Sequence, residues 1–377
     1  MKISNFIAGK YIERYQYSSF EPNSINFAWE IDVPEVNFLL SEADLKLGEL
    51  NAFSQLIPDV DFFIRMHVAK ESTLSSKIEG TQTSIEDTVQ KEENISNEQR
   101  DDWLEVNNYI ISMNHASKRL SELPISNRLI KETHHLLLQG ARGRNKTPGE
   151  FRHSQNWIGG ATLKDAYYIP PSAESIPELM SDLERFINND TIAVPHLIKI
   201  GITHYQFETI HPFLDGNGRI GRLLIPLYLI SNNILTKPTL YLSEFFERNR
   251  MLYYDNLSTV HLKNNLAQWL KFFLVGVKQT AEKSIFTLKE IIKLRDECIC
   301  KISELGKKSI NAKHLLYFLF KNPIIDAKDV SKELEVSTST AIRFLDDFIR
   351  IGILKERTGF QRNRQYSFEK YIDLFRK

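Results

Sequence analysis

The sequence predicts a mainly α-helical protein, in which a helical bundle carries one β-hairpin and is followed by a C-terminal winged helix-turn-helix domain. Apolar residues recur with helical spacing through most of the chain. Residues 149–171 break that spacing with glycines, prolines and aromatic residues, which is typical of a hairpin. The sequence therefore divides into an N-terminal extension at 1–100, a core at 101–294 and a terminal domain at 309–377.

Composition sets the outer limits on fold and location. The chain has 377 residues, of which 42% are hydrophobic and 25% charged, as in globular proteins of two to three domains. Because 48 Lys and Arg balance 48 Asp and Glu, net charge gives no argument for a nucleic acid, membrane or acidic partner. We expect neither a signal peptide nor a membrane span, since no long apolar run occurs. The cysteines, Cys298 and Cys300, are too few for a disulfide framework or a zinc site, which fits a reducing cytoplasm.

The N-terminal extension is predicted to include a helix at about 62–80. Before it, short apolar runs are separated by Pro22, Pro34 and Pro58. Within the helix, Ser75 and Glu79 are four residues apart and share one face, and Gly80 is placed to end the helix. On this pattern alone, Glu79 is an ordinary exposed residue near a helix end.

The hairpin at 149–171 presents Trp157, Ile158 and Gly159 within a stretch bounded by glycines and prolines. Aromatic residues are enriched in strands for packing reasons alone. A surface hairpin with buried aromatic residues is therefore the alternative to one that borders a binding site. His134 and His135 precede the hairpin without further ligands, so we expect them on a helix surface and not in a metal site.

The most informative segment is 211–222, which places a base and a metal-seeking carboxylate four residues apart. His211 has an ordinary pKa near neutrality and can accept a proton from an attacking hydroxyl. Asp215 supplies a hard oxygen of the kind that Mg²⁺ takes beside phosphate oxygens. This pair of residues predicts chemistry at a phosphate.

Glycines and arginines extend the same segment into an anion-binding loop. The Gly-Asn-Gly triplet at 216–218 leaves backbone N–H groups free to turn towards an anion, and the apolar residues after it predict that it opens a helix. Arg219 and Arg222 can clamp phosphate oxygens with their planar guanidinium groups. The residues assigned to the nucleotide here are Gly216, Asn217, Gly218, Arg219, Ile220, Gly221 and Arg222. The predicted reaction is phosphoryl or nucleotidyl transfer.

Two simpler interpretations compete with this assignment. Gly216, Gly218 and Gly221 have the spacing of a dinucleotide-binding fingerprint, but that fingerprint follows a buried strand, whereas residues 197–207 are predicted to be helical. Alternatively, His211 caps a helix and the glycines only form a turn. A turn explains an isolated glycine pair more readily than it explains the whole segment.

Residues 211–222 resemble the Fic motif, His-x-Phe-x-(Asp/Glu)-Gly-Asn-Gly-Arg-x-x-Arg, at every defined position. The resemblance implies a Fic-type helical bundle that uses ATP and Mg²⁺ to transfer AMP to a hydroxyl side chain of a target protein, releasing pyrophosphate. It implies that His211 is the general base, that Asp215 is the Mg²⁺ ligand and that residues 216–218 form the phosphate cradle. The two arginines would bind the phosphates.

A second segment, 75–80, resembles the inhibitory helix of self-regulated Fic proteins, (Ser/Thr)-x-x-x-Glu-(Gly/Asn). In that family the glutamate pairs with the second arginine of the motif, which is Arg222 here, and an arginine so occupied cannot hold the γ-phosphate. The resemblance therefore assigns Ser75 and Glu79 to autoinhibition. Because this segment precedes the motif, the chain is similar to the N-terminally inhibited class.

The resemblance also implies what surrounds the nucleotide. In Fic proteins the hairpin is a flap that pairs with an extended segment of the target, with Trp157, Ile158 and Gly159 here on the nucleotide side. Tyr253 and Tyr254 resemble the helix that closes over the adenine, where an aromatic face can stack, although they could equally pack helices together. Expected partners are thus a target protein on the flap and, since dimers are common in the family, a second copy.

The C-terminal domain is predicted from capping and turn signals. Asp326 and Ser337 can cap two successive helices. Residues 353–354 and 364–368 suggest two short strands separated by a polar turn. This order is that of a winged helix-turn-helix, a frequent C-terminal companion of this class of Fic protein.

Whether this domain binds DNA is left open by its charges. Residues 309–377 carry 13 Lys and Arg against 9 Asp and Glu, and Arg343 could enter a groove. However, Asp346 and Asp347 on the same helix would repel phosphates, and winged helices also bind proteins.

The sequence thus predicts a cytoplasmic protein adenylyltransferase that is autoinhibited by Glu79 and acts on Tyr, Ser or Thr hydroxyls of target proteins and of itself. One alternative is a nucleotide-sensing DNA-binding regulator, which predicts salt-sensitive duplex binding and no covalent product. The other is a Fic enzyme that transfers a different nucleotide or removes AMP, because the motif does not determine the base of the nucleotide.

Overall fold

The computed structural model describes residues 1–56, 60–140, 144–359 and 364–376, and these residues are mainly helical, as predicted. The N-terminal region contains β1 (Gly9–Glu13), β2 (Ser18–Pro22), α1 (Pro34–Leu56), α2 (Val60–Ile78) and α3 (Ile85–Thr88). The core contains α4 (Arg100–Arg119), α5 (Asn127–Leu137), α6 (Ile176–Asn188), α7 (His196–Ile210), α8 (Asn217–Ser231), α9 (Ser243–Arg248), α10 (Arg250–Lys263) and α11 (Leu266–Ser303). The C-terminal region contains α12 (Ser309–Lys321), β3 (Ile324–Asp326), α13 (Ala327–Glu333), α14 (Thr338–Arg350), β4 (Lys355–Glu356), β5 (Gln365–Ser367) and α15 (Glu369–Arg376).

Helix α1 packs along α11 and joins the N-terminal extension to the core. The two helices run parallel, because the Glu42 carboxylate lies 2.7 Å from the Lys278 ammonium and, equally far along both helices, Lys289 lies 5.5 Å from the ring centre of Phe53. The buried apolar side chains in the described part of α1 are Val36, Leu40, Ala43, Leu47 and Leu50. Their alternating spacing of four and three is that of a coiled-coil seam. The sequence-based division of this region into short apolar runs therefore missed a helix of 23 residues.

The motif segment lies in the turn between α7 and α8, two helices that are buried over most of their length. Helix α7 ends at His211, whose φ of 49° is left-handed and stops the helix. Gly216 has a φ of 76° and precedes the first residue of α8. The Trp269 indole of α11 donates to the Gly201 carbonyl at 2.8 Å and fixes α7 from behind.

The predicted hairpin at 149–171 is present but short. It is closed by a single bridge, in which the Ile158 N–H donates to the Tyr168 carbonyl at 2.8 Å and Tyr167 donates back to Ile158 at 2.9 Å. Gly159 and Gly160 both have φ near +70°, which departs from strand geometry and limits the pairing. The strand β2 supports the hairpin from outside, since the Phe20 N–H donates to the Ile169 carbonyl at 2.9 Å.

The C-terminal region follows the predicted order of helices and hairpin, with two additions. Asp326 caps α13 with a capping box, and Ser337 caps α14, as their positions in the sequence indicated. The strand β3 and the helix α15 were not predicted from the sequence. The three strands form an antiparallel sheet in the order β3-β5-β4. Helix α11 continues beyond the predicted core boundary at 294 to Ser303 and leads directly towards α12.

The C-terminal region packs against the helix that carries Glu79. The ring of Phe375 in α15 lies 5.4 Å from the imidazole of His67 in α2. Nearby, Arg376 pairs with Glu86 of α3, and the Lys91 ammonium lies 2.6 Å from an Asp329 oxygen. In the ranges that the structure describes, no helix is long and apolar enough to cross a membrane.

Candidate active site

His211 is oriented by the end of its own helix. Its Nδ1 lies 3.3 Å from the Glu208 carbonyl, so Nδ1 carries the proton in that contact and Nε2 is left as an acceptor. Burial lowers the pKa of His211 to about 4, although the Glu208 carbonyl opposes this shift. The ring is therefore neutral near pH 7, which is the form that can take a proton.

Arg152 connects the flap to the motif from below. Its side chain is buried, and it donates to the His211 carbonyl at 3.0 Å, to Pro171 at 2.6 Å and to Ser154 at 3.0 Å. Burial lowers the pKa of Arg152 to about 10, so it remains charged at neutral pH. Arg152 lies within the segment predicted as the hairpin, but its role could not be predicted because its acceptors include carbonyl groups distant in sequence.

His134 is the second brace of the motif loop. Its Nδ1 accepts from the Gly149 N–H at 2.9 Å, and its Nε2 donates to the Asp215 carbonyl at 2.9 Å. The ring stacks on Phe213 with 3.7 Å between centroids. The expectation that His134 lies on a helix surface is therefore wrong, whereas His135 is exposed. The side-chain spacing of α5 turns His134 inward together with its other buried residues.

Asn217 shapes the loop through its side chain. Its Oδ1 accepts from the Phe213 N–H at 2.8 Å, and its Nδ2 donates to the Phe213 carbonyl at 2.8 Å. The flap residue Asn156 donates to the same carbonyl at 2.9 Å. The amide side chain of Asn217 is thus occupied inside the loop, and only its backbone is available to an anion.

Helix α8 directs its N-terminus at the Glu79 carboxylate. Gly218 lies in the first turn, and a Cβ on this residue would collide with Glu79 Oε1 and with the Arg222 guanidinium. The absence of a side chain at Gly218 therefore permits the close approach. The carboxylate occupies the kind of position that phosphates take at helix N-termini.

Arg222 is buried and bound by the end of α2. Its Nη2 donates to Glu79 Oε1 at 2.6 Å and to the Ser75 carbonyl at 3.0 Å, while its Nε donates to Ser75 Oγ at 2.9 Å. Burial opposes ionisation of Glu79, but the charge and hydrogen bond of Arg222 outweigh it and lower the pKa of the carboxyl. The structure thus brings together the three residues that the two sequence patterns assigned to inhibition.

The end of α2 has the geometry that the sequence indicated for Gly80. This glycine has a φ of 104°, and its N–H donates to the Lys77 carbonyl at 3.0 Å. The Thr81 N–H donates to the Ser76 carbonyl at 3.2 Å, which completes a Schellman motif. The turn places Glu79 at the last position before the chain leaves the helix.

Arg219 is directed at carboxylates and is buried, with 5% of its side chain exposed. Its guanidinium lies 3.3 Å from Asp215 Oδ1 and 3.7 Å from a Glu105 oxygen. Asp215 remains 45% exposed, and its Oδ2 forms no hydrogen bond with any residue that the structure describes. An open carboxylate oxygen beside the cradle fits Mg²⁺, which binds one or two carboxylates and keeps several waters.

Glu208 is a second carboxyl beside Arg222 that sequence reasoning missed. Its Oε1 is buried, has no hydrogen-bond partner in the described ranges, and lies against Gly221, where a Cβ would collide with it. Burial raises the pKa of Glu208 to about 7; Arg222 opposes the rise and Glu79 adds to it. Only its place one turn before His211 could have signalled its proximity to the site.

Two of the predicted nucleotide contacts in α8 face the core. Ile220 is 1% exposed and belongs to the hydrophobic core. Gly221 offers its carbonyl to His204 Nδ1 at 2.9 Å. Both assignments are corrected by the helical period, which turns these positions away from the cradle that Gly218 and Arg222 face.

The two tyrosines that were predicted to contact the adenine differ in their exposure. Tyr253 is 1% exposed, its hydroxyl lies 2.8 Å from His204 Nε2 and its ring stacks 4.4 Å from Phe246, so the assignment of Tyr253 to the adenine is corrected to a packing role. Tyr254 is 38% exposed, and burial and the charge of Glu79 raise its pKa, which places it towards the site. On the flap, Trp157 is 39% exposed.

Comparison with known protein families matches two parts of the chain. The description "Fic/DOC family N-terminal" fits residues 38–118, and "Fic/DOC family" fits residues 124–229, which include the motif. A protein adenylyltransferase Fic from Drosophila erecta is 39% identical over 83 residues, 22% of this chain and 15% of that protein. One from Aedes aegypti is 28% identical over 144 residues, 38% of this chain and 26% of that protein. The chain thus matches about a quarter or less of the length of these curated relatives.

A solved structure extends the similarity to most of the chain. The crystal structure of a Fic family protein from Desulfovibrio desulfuricans G20 superposes with a TM-score of 0.58 over 90% of this chain and 97% of that one. Sequence identity in this superposition is 19%, so the likeness concerns the fold.

Proposed function

We propose, since the chain belongs to the Fic/DOC family through residues 38–118 and 124–229, that it is a protein adenylyltransferase. It transfers AMP from ATP to a Tyr, Ser or Thr hydroxyl of a target protein or of itself. The observation that carries this proposal is the neutral His211, whose Nδ1 contacts the Glu208 carbonyl and so leaves Nε2 as the proton acceptor.

His211 acts as the general base. Its Nε2 takes the proton of the target hydroxyl as that oxygen attacks the α-phosphate, and the bond from the α-phosphorus to the pyrophosphate oxygen breaks in line. The backbone N–H groups at the start of α8 stabilise the phosphate charge that develops, together with Arg219 and, once it is free, Arg222. Arg152 keeps the His211 backbone in place through its 3.0 Å hydrogen bond.

Asp215 would hold Mg²⁺ through its open oxygen. When bound, the ion neutralises phosphate charge and orients the triphosphate. Asp215 itself is positioned from behind by His134, which binds its carbonyl, and from the side by Arg219.

Glu79 inhibits the enzyme by occupying the site of the terminal phosphate. Its carboxylate binds Arg222 Nη2 at 2.6 Å and lies over Gly218, so a γ-phosphate would have to displace Glu79 to pair with this guanidinium. Activation then requires that the end of α2 withdraws. An inhibitory helix that precedes the motif in sequence is the arrangement of the N-terminally inhibited class of Fic proteins, which residues 75–80 resemble.

The target docks on the flap. The bridge between Ile158 and Tyr168 leaves most of the flap backbone without strand partners in the described ranges, and an extended target segment could supply them by strand addition. Arg152 and Phe20 fix the flap to the core and to β2, so it is a rigid edge for such pairing.

Mass analysis and α-phosphate labelling with ATP and Mg²⁺ test the proposal directly. Wild type, Glu79→Gly and His211→Ala are compared, with Lys77→Ala as the control, because Lys77 lies in the same turn of α2 and pairs with Glu247 instead of Arg222. We expect an AMP-sized adduct that is strongest in Glu79→Gly, unchanged in Lys77→Ala and absent in His211→Ala.

Other outcomes support the alternatives. An adduct of a different mass in nucleotide mixtures indicates transfer of another nucleotide, and loss of AMP from a modified substrate indicates removal. ATP binding without any adduct, together with salt-sensitive duplex binding, overturns the proposal in favour of a nucleotide-sensing regulator.

A further inference from the structure

A cavity of about 150 Å³ lies between α2, α9, α11 and α15, apart from the nucleotide cradle. It joins the helix that ends at Glu79 to the C-terminal region. Its polar walls include Lys70, Tyr241, Glu244, Arg248 and Lys283. None of these residues takes part in the chemistry proposed above.

The cavity has more positive than negative charge close to it. The ammonium groups of Lys70 and Lys283 share one carboxylate, that of Glu244, at 3.0 and 2.5 Å. Burial lowers the pKa of Lys70, although Glu244 opposes this shift. Arg248 lines the exposed side and forms no ion pair within the part of the chain that the structure describes.

The second carboxyl near the cavity does not balance these cations. Glu71 accepts hydrogen bonds from Ser243 Oγ at 2.5 Å and from the Tyr109 hydroxyl at 3.0 Å, both on the core side. Burial raises the pKa of Glu71, which favours its neutral form. With Arg248 included, the lysines and the arginine that line the cavity outnumber its carboxyl groups, Glu71 and Glu244, by one.

Tyr241 supplies an independent sign of a ligand. It is 5% exposed and lines the cavity, and its hydroxyl is buried without a hydrogen-bond partner in the described ranges. Buried hydroxyl groups in proteins are nearly always partnered by protein, water or ligand. A ligand oxygen inside the cavity would accept a hydrogen bond from the Tyr241 hydroxyl and would face the two ammonium groups.

We propose that this cavity binds a small oxyanion of the size of inorganic phosphate. Pockets for nucleotide- or drug-sized molecules measure roughly 300 to 1,000 Å³, so the volume excludes a second nucleotide. A tetrahedral oxyanion offers an acceptor for Tyr241 and charge for Lys70 and Lys283 at once. The cavity is placed to affect the proposed inhibitory segment, because Leu74, which also lines it, directly precedes Ser75.

The consequence for Glu79 rests on the proposed function. An anion that ties Lys70 of α2 to Lys283 of α11 would fix α2 and hold Glu79 on Arg222. Phosphate should then slow AMP transfer in wild type while leaving Glu79→Gly unaffected at this site. This is a coupling between two sites, and it is separate from binding itself.

Thermal unfolding and calorimetric titration with sodium phosphate, at constant ionic strength against chloride, test binding on the full chain. Wild type is compared with Tyr241→Phe and Lys70→Met, and Lys278→Met is the control, since Lys278 is a lysine of α11 that pairs with Glu42 away from the cavity. We expect saturable binding to wild type and to the control. Affinity should fall about fivefold in Tyr241→Phe, the cost of one hydrogen bond, and further in Lys70→Met.

The conservative Tyr241→Phe keeps the ring and therefore the fold, so its result is decisive. Equal affinity in wild type and in both cavity variants places the anion elsewhere and overturns the proposal, as does the absence of saturable binding, which leaves only water in the cavity. Tighter binding of succinate than of phosphate, with the same dependence on Tyr241 and Lys70, supports the site and identifies carboxylates as its ligands. Because binding is measured without ATP, its outcome is independent of whether the chain transfers AMP.

Discussion

Arg222 is buried, and its charge is matched by Glu79, the residue that the proposed activation would withdraw. A buried cation that loses its partner destabilises a protein by roughly 3 to 5 kcal/mol, and less where the partner keeps contact with water. The Glu79 side chain is 38% exposed. The proposed inhibition and the stability of the fold therefore depend on the same ion pair.

Glu79→Gly should consequently raise AMP transfer and lower stability together. We expect a loss of about 1 to 2 kcal/mol in the free energy of unfolding, discounted for the exposure of Glu79. Urea denaturation beside the labelling assay measures both. A variant that is as stable as wild type, or one that is less stable and less active, would contradict the role of this pair.

Glu208 predicts a pH dependence of stability. Its pKa is about 7 in the folded protein and near 4.5 when unfolded. Between these values the folded state retains a proton that the unfolded state has lost, so its contribution falls as pH rises and is constant above about 7. The whole change is about 3 kcal/mol. Glu208→Gln should lack this pH-dependent loss of stability. Its free energy of unfolding, measured by urea denaturation, should therefore rise relative to that of wild type between about pH 5 and pH 8. A difference that stays constant with pH would show that Glu208 ionises normally.

At this scale the predictable residues are those with local partners or local patterns. Ser75, Glu79 and Gly80 were found because helical spacing and a turn-forming glycine are properties of six consecutive residues. Arg152 and His134 were not found because they bind groups that lie 59 and 81 residues away, respectively. Tyr253 was misplaced for a related reason, since its partner His204 becomes its neighbour only after α7 and α10 pack.

Among the elements, the motif loop is braced by side chains from α5, the flap and α8. His134 is the central brace, with two hydrogen bonds and a stacked ring. Loops that carry catalytic groups gain precision from such support, because a small displacement of a reacting group lowers the rate. The braces therefore belong to the function and not only to the fold.

Replacing this brace should affect both properties. His134→Ala should lower the free energy of unfolding by about 2 to 4 kcal/mol, through two unmet hydrogen bonds and a lost aromatic contact, and should reduce transfer by shifting Asp215. His135→Ala is the matched control, because His135 is exposed and binds only the Pro148 carbonyl at 3.2 Å. Equal effects of the two substitutions, in denaturation or in labelling, would argue against a specific brace.

Helices that begin with a capping side chain were predictable from the sequence. Elements stabilised by contacts between residues distant in sequence were not. Asp326 and Ser337 marked the starts of α13 and α14 because caps are local. The strand β3 has three residues and α15 has eight, too few to be stable without the sheet and core that they join. Helix α1 could have been found from its spacing of four and three, which its surrounding prolines obscured.

For the whole molecule, the placement of α15 against α2 connects the C-terminal region to the inhibitory helix. We expect Phe375→Ala to loosen α2, because it deletes a buried ring that contacts His67, and to raise transfer several-fold in wild type. In a Glu79→Gly background the same change should have no such effect, since the inhibition is already absent.

Phe344→Ala is the control, because Phe344 is a buried phenylalanine of α14 within the C-terminal region. Labelling rates and unfolding free energies are compared for Phe375→Ala, Phe344→Ala, Glu79→Gly and the double variant Glu79→Gly/Phe375→Ala. If both phenylalanine substitutions raise transfer equally, general destabilisation explains the effect and the contact between α15 and α2 carries no information to the site.

Glu79 and Arg222 are 143 residues apart but belong to the same chain. The inhibitor therefore has an effective concentration at its target that is set by the intervening structure, on the order of millimolar or above, whatever the amount of protein. Dilution cannot free the arginine, and more abundant expression cannot titrate it. Under the proposed inhibition, a cell would change the activity of this protein by moving α2 and not by changing how many copies it makes.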